Sequence, residues 1–472
     1  MEKIQVNYEE IYNRSDEIEF LKMQFEQYKK EVYFFNNSAE EVAFLYNLGL
    51  FFSEHYKKNI DLKQEMYIQY IFRNANDFYF SVYCYLQGIK IFENNLDSLG
   101  HDESFINEIM KRCYVNLGNE LSNHYRTIDA LHYFNKALLL DYNFSMARGN
   151  RAFCLEKHSP FIGYNEQDKV FNYIHDEYWA IDISKLENGE RLFLTSMLRY
   201  DTLKKSYLAS LAQGKDPQYS PSNLLSSIDD NEESYENWSV KNILYLNFLN
   251  DYWSFEEAKF DINIDDFCSE KKIPETSKEI INNMINNFIS LREDLYKNIN
   301  DEDVDYYRLA NIFCSLFSFF DKVSFFLYKH FALIPPNNNE RRVNMNSIWN
   351  FKNSEGHKLL DYKNTFLFNL FWMRKEYRDE NDLELRNLLL PDAQELSDYR
   401  NYLEHKAFSF NANSELYFID PRLLESKTLR LMQLVRNKTL SIIGLLDIDS
   451  KLIDKKSGKR DVNLTYLNYQ LF

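Results

Sequence analysis

A chain of 472 residues with only 11 glycines and 8 prolines carries too little turn chemistry for hairpins, sandwiches or barrels. It is expected to be almost wholly helical, all-α, and long enough for two or three cored domains held together by its 35 tyrosines and 38 phenylalanines. A formal net charge of −17 excludes a protein that coats nucleic acid or an anionic membrane over its whole surface, so any site for a polyanion has to be local.

The chain opens on "MEKIQVNYEEIYNRSDEIEF", which has no apolar core of a secretory signal. Cys84, Cys113, Cys154, Cys268 and Cys314 are odd in number, far apart and without a C-x-x-C pair. They read as reduced thiols of a cytoplasmic protein, with neither a disulfide framework nor a zinc site.

Between about residues 40 and 200 the text repeats itself. Tyr114, Leu117, Gly118, Leu121, Ala130, Phe134 and Ala137 fall at the spacings of a helix-turn-helix unit of about 34 residues. Arg148, Ala152 and Leu155 answer Tyr114, Gly118 and Leu121 one repeat later, and Leu48, Gly49 and Phe52 form a less regular earlier copy. A small residue at the Gly118/Ala152 position lets the two helices of a unit approach closely. This pattern resembles the tetratricopeptide repeat, which implies a curved stack whose concave surface takes a peptide, a protein or part of a nucleic acid, and no chemistry. The bland alternative is that the repeats only pack against the rest of the chain.

The expected division is a repeat domain over 1–210, a linker and connecting helical segment over 211–300, and a C-terminal domain over 301–472. "AQGKDPQYSPSN" at 212–223 is the linker text. Leu309, Ile312, Phe313, Leu316, Phe320, Val323 and Leu327 recur at three-and-four spacing in a stretch broken by Asp321, Lys322, Lys329 and His330. It is expected as a core helix over about 303–333 rather than a membrane span. His330 and His357 read as core or surface histidines. Further helices are expected over about 358–379, from near Pro391 to about 408, and over about 422–444, with 411–420 as a loop or short extended piece. Arg422, Lys427, Arg430, Arg436, Lys438, Lys451, Lys455, Lys456, Lys459 and Arg460 make the end of the chain basic. They read either as a surface that tracks phosphates or as a solvated face and tail.

The third of these four helices carries "SDYRNYLEHKAF". At about 100° per residue, Asn401 and His405 share a face, so the amide could orient the imidazole. Arg400 and Glu404 are also four apart, and the plain reading is an i,i+4 ion pair. Arg400 and His405 are five apart, about 140° around a regular helix, so a single copy is not expected to aim both at one phosphate.

Arg400-Asn401-Tyr402-Leu403-Glu404-His405, placed late in a four-helix pattern, resembles the R-x(4–6)-H signature of the HEPN superfamily. The helix text "SLFSFFDKVSFFL", the segment "NMNSIWN" at 344–350 and the upstream repeats together resemble a bacterial branch in which a four-helix-type HEPN bundle ends a repeat-bearing chain. The resemblance covers roughly 230–450 in addition to the repeats. It implies a metal-independent RNA endonuclease without cofactor, active as a homodimer with the site at its interface, and a toxin or antiphage-defence role. Imidazole titrates near neutral pH, as proton transfer from a ribose 2'-hydroxyl requires. A guanidinium stabilises charge developing on the phosphoryl oxygens. The expected catalytic residues are Arg400, Asn401 and His405, with Glu404, Tyr402 and Asp321 in support. Where some HEPN toxins carry a modified Tyr, two residues past the His, this chain has Ala407. The alternative is a non-catalytic scaffold whose HEPN bundle dimerises or binds nucleotides.

Overall fold

A computed structural model describes residues 3–59, 75–94, 103–158, 234–252, 259–269, 271, 273–362, 364–378 and 391–452. Two compact units divide the chain. Unit 1 holds the described residues up to 155, and unit 2 holds those from 234 to 378 and from 392 onward. Helices dominate both. The strands among the described residues are two-residue pairs, Ile4–Gln5 with Tyr33–Phe34 and Phe408–Ser409 with Tyr417–Phe418, so the expected all-α class holds. The linker text at 212–223 and the basic tail at 455–460 lie outside the described residues.

Unit 1 runs α1 (Tyr8–Asn13), α2 (Ile18–Lys29), α3 (Ser38–Asn59), α4 (Ala75–Asn94), α5 (Glu103–Asn123), α6 (Thr127–Leu140) and α7 (Ser145–His158). The Asn7 side chain accepts from the Glu10 N–H and starts α1, as a short polar cap should. α3 packs on α4, and α5 packs on both α4 and α6. Ser53 donates to Glu120, and Tyr56 meets His124 at 3.2 Å, tying α3 to α5 through buried polar contacts. The small residue expected at 118 has its reason in space: a Cβ there would lie 2.4 Å from the Phe134 ring. At Gly49 a Cβ would stand 2.9 Å from Tyr85. The side chains of Ala152 and Leu155, the next copy of the pattern, lie outside the described ones.

Unit 2 contains α8 (Tyr235–Lys241), α9 (Ile264–Cys268), α10 (Glu275–Ile299), α11 (Tyr306–Phe317), α12 (Phe319–His330), α13 (Thr365–Arg378), α14 (Pro391–His405) and α15 (Pro421–Leu452). The 32-residue α15 is its axis and packs against α10, α11, α12 and α13. The helix expected over 303–333 is two, because the chain turns at Ser318, whose hydroxyl donates to the Ser315 carbonyl at 2.6 Å. All seven apolar positions singled out there are buried. Residues Tyr306–His330 form the one stretch among the described residues long and apolar enough to cross a membrane, and its apolar side is packed into the core of unit 2.

The described residues between 234 and 299 are packed into unit 2, although a connecting role was expected for this region. Their stretch Leu244–Asp251, irregular as far as Asn247 and a 3-10 helix from Phe248, buries Leu244, Tyr245, Leu246, Phe248 and Leu249. Backbone buried outside regular helix has carbonyls to satisfy, and two buried arginines meet those of residues 244, 245 and 247. Arg292 of α10 donates to the Leu244 carbonyl at 2.9 Å, to Tyr235 at 2.8 Å, and to both Asp261 oxygens at 2.9 and 2.6 Å. Arg436 of α15 donates to the Tyr245 and Asn247 carbonyls at 2.8 and 2.7 Å and to Asp251 at 2.8 Å. Lys438 is also buried and donates to Asn369 at 2.8 Å, and Asn369 in turn donates to Ser441 at 2.9 Å.

These contacts take Arg436 and Lys438 out of the basic C-terminal surface, while Arg422, Lys427 and Arg430 stay outside the core. Two of its cations are consumed inside the core, where a guanidinium matches carbonyls that water cannot reach. His330 is a core histidine as well. Its ring lies between Ser277 and Asp449, each at 3.0 Å, and stacks on Phe326. Ser277, His330 and Asp449 are the residue types of a hydrolase triad, but all three are buried, and the contacts tether α10, α12 and α15. His357 is half-buried beside Tyr362.

Two substitutions test this packing in urea unfolding of the full chain. Arg436→Ala takes from Asp251 and from the Tyr245 carbonyl the guanidinium they bond inside the core, and is expected to destabilise unit 2 by about 3–5 kcal/mol. Gly118→Ala gains about 1 kcal/mol in helix propensity but drives a methyl into Phe134, itself buried and unable to yield. The net expectation is a loss of about 1–2 kcal/mol from unit 1.

Candidate functional site

α14 holds the Arg-x4-His sequence on the surface of unit 2. The helix is anchored by Leu396, which is fully buried, and by Tyr399, whose ring lies 6.3 Å from that of Phe313 on α11. The guanidinium of Arg400 lies 5.5 Å from the centre of the Phe317 ring, also on α11. This cation–π contact fixes where Arg400 points without neutralising its charge.

The expected ion pair is formed: Arg400 Nε is 2.6 Å from Glu404 Oε2. Despite that distance, the buried Nε has no hydrogen-bond partner, so the contact is a close approach of opposite charges without an aligned N–H. His405 is the last residue of α14, and its side chain is 63% exposed. Its Nε2 stands 3.6 Å from the same oxygen, Glu404 Oε2.

One copy of the chain therefore brings Arg400 and His405 to a single oxygen, against the expectation from ideal helical geometry. The 140° separation describes where the Cβ atoms leave the helix. A long arginine arm, three methylenes and a guanidinium, lying over Phe317 and a histidine at the open end of the helix both reach back toward residue 404.

The other expected residues are placed differently. Asn401 is exposed, and no hydrogen bond joins it to His405, so it does not orient the imidazole in this state. Tyr402 stacks on Tyr417, with ring centres 3.6 Å apart and planes at 4°, while Lys406 sits 4.6 Å above the Tyr402 ring. Tyr402 thus packs the end of α14 onto the short strand Tyr417–Phe418. Asp321 is exposed in the first turn of α12, where a carboxylate suits the positive end of the helix.

Sequence reasoning missed Phe317 and Tyr417, which support the site from other elements, because only tertiary contact brings them near. It also missed a partly exposed aromatic surface beside α14. Tyr306 and Tyr307 touch Phe410, Tyr307 also meets Phe408, and Phe408 pairs in register with Tyr417. Tyr307 is 64% and Tyr417 43% exposed.

Among the described residues no group of three His, Cys, Asp or Glu side chains could hold a metal. An open groove of about 670 Å³ lies in unit 1, lined by Tyr28, Tyr33, Phe34, Phe35 and Glu41 with Lys3 and Lys29 at its edge. Burial pushes the Tyr33 hydroxyl up to about 12 there, and no histidine is among the described residues that line the groove.

Residues 300–447 match the family model described as LA2681-like HEPN. The match takes in α11 to α14 and most of α15, and Arg400 to His405 lie inside it. The chain thus carries a HEPN domain in its C-terminal part. No curated protein and no solved structure matches the chain.

Cys314 on α11 reports on the site. Its thiol is pushed up to about 11, first by burial and then by the Glu404 carboxylate, with Arg400 pulling the other way. Removing the carboxylate charge in Glu404→Gln lowers this value and exposes more thiolate at a given pH, whereas Arg400→Ala raises it. The expected result is about two- to threefold faster alkylation of Cys314 by iodoacetamide at pH 8 in the first variant and slower alkylation in the second, read by peptide mass spectrometry.

Proposed function

With a C-terminal HEPN domain as the premise, we propose that the chain is a metal-independent RNA endonuclease whose reaction is carried by Arg400 and His405. The observation behind this reading is their convergence on one exposed oxygen position at the end of α14. A phosphodiester placed there meets a guanidinium that stabilises charge on its non-bridging oxygens and an imidazole that moves a proton at neutral pH.

The ribose 2'-hydroxyl gives up its proton and attacks the adjacent phosphorus. The bond to the 5'-oxygen breaks, and that oxygen takes a proton. The products are a 2',3'-cyclic phosphate and a 5'-hydroxyl. Asn401, exposed on the same helix, is the candidate to hold the ribose. The step needs a base and an acid at once, and one imidazole supplies only one of them. A homodimer that places a second copy's imidazole across the scissile bond would supply both. Exposed rings at Tyr307 and Tyr417 favour unpaired RNA, whose bases stack on aromatic faces.

The helical hairpins of unit 1 are proposed to recruit a protein or peptide partner that regulates cleavage, in the setting of a toxin or antiphage defence effector of the cytoplasm. A second reading, a non-catalytic scaffold whose HEPN bundle dimerises or binds nucleotides, is favoured by the Arg400–Glu404 pair, which holds the guanidinium that catalysis would use.

The experiment is incubation of total RNA and tRNA with the purified full chain in EDTA, followed by mapping of product ends. Wild type is expected to leave 2',3'-cyclic phosphates, and Arg400→Ala and His405→Ala to lower the rate at least about a hundredfold. Both variants cleaving like wild type would sink the nuclease reading. Under the scaffold reading no cleavage occurs, and both variants keep dimerisation and partner binding.

A further inference from the structure

Glu404 Oε2 is the atom on which the site closes. It lies 2.6 Å from Arg400 Nε and 3.6 Å from His405 Nε2, so an anionic oxygen already occupies the place between guanidinium and imidazole. Three features make that occupancy exchangeable. The Arg400 Nε–H is not spent on a hydrogen bond, so the carboxylate holds the guanidinium by charge alone. Arg400 is positioned independently by the Phe317 ring, 5.5 Å beneath it, and keeps its place if the carboxylate leaves. The Glu404 side chain is 28% exposed near the end of its helix, with open solvent to swing into. An ion pair of this exposure is weak, whereas a phosphate offers Arg400 two oxygens in a fork that its N–H groups match.

We propose that Glu404 is a built-in competitor for the substrate phosphate. In the substrate-free chain its carboxylate oxygen stands in for a non-bridging phosphate oxygen, and binding of an RNA phosphodiester displaces it. Glu404 is thus a positioning residue that sets the threshold for phosphate entry and rejects weakly held anions. The proposal rests on the nuclease reading for the identity of the phosphate, not for the competition itself.

The test uses the full chain as wild type, Glu404→Gln, Glu404→Asp and His405→Ala. Two probes are titrated, inorganic phosphate and a 2'-O-methyl oligouridylate, which lacks the attacking hydroxyl. The readout is the carbon-bound imidazole signal of His405 in histidine-labelled protein, assigned by its loss in His405→Ala. Glu404→Gln keeps the shape and removes the charge. It is expected to bind both probes about three- to fivefold more tightly than wild type. Glu404→Asp, which keeps the charge but draws it back by one methylene, is expected to bind between wild type and Glu404→Gln. On a cleavable RNA, Glu404→Gln is expected to lower KM by a similar factor with kcat little changed.

Binding by Glu404→Gln that is equal to or weaker than wild type overturns the competitor role, since a carboxylate that merely braces the site would weaken binding when neutralised. The two readings fail separately. His405-dependent cleavage with unchanged phosphate affinity in Glu404→Gln removes the competitor and leaves the nuclease. Tighter phosphate binding in that variant, with no cleavage by wild type, does the reverse.

Discussion

Two buried guanidinium groups organise unit 2. The stretch Leu244–Asp251 carries five large apolar side chains into the core without forming an α-helix, and a buried backbone of that kind is tolerated only if its carbonyls find donors. Arg292 and Arg436 supply them from two different helices, and each is neutralised by its own carboxylate, Asp261 or Asp251. Charge burial on this scale is costly by itself and survives because nearly every donor is used. Arg436 sits in α15, the helix against which α10 to α13 pack, so the anchoring of the irregular stretch and the assembly of the helices are one event.

This coupling extends the folded body beyond the HEPN match. The match begins at 300, yet the 244–251 stretch held by Arg436 of α15, and α10, bonded to that stretch through Arg292, precede it. α15 also sets its Asp449 against His330 of α12 and its Ser441 against Asn369 of α13. Polar contacts of this kind fix the rotation of each helix about its axis more sharply than apolar packing does, because a hydrogen bond is lost within a few tenths of an ångström. α11, packed by its apolar face on α15 and α10, presents Phe313 and Phe317 to α14. The site thus rests on α11, which is packed on the same axis helix that holds the buried Arg436.

The surface motif itself has little stability to offer. Its ion pair is partly solvated, its histidine is mostly exposed, and its helix is held by Leu396, Tyr399 and the Tyr402–Tyr417 stack. That division of labour suits a binding site, with a rigid core beneath and exchangeable contacts above.

The amino-acid sequence by itself determined what depends on neighbours along the chain. The shortage of glycine and proline set the helical class, the three-and-four spacing over 309–327 set the buried face of α11 and α12, and the four-residue interval of Arg400 and Glu404 set their ion pair. Gly118 announced a close helix approach because only a missing side chain makes room for one. Tertiary structure alone decided what depends on partners far away in sequence. Arg436 and Lys438 looked like surface cations in a basic segment, and only the carbonyls of 245 and 247 and the amide of Asn369 drew them inside. The meeting of His405 and Arg400 at Glu404 Oε2 was hidden for the same reason. Helical spacing gives the directions of Cβ atoms, while the reach of a long side chain is settled by what it rests on, and Phe317 lies 83 residues earlier in the chain.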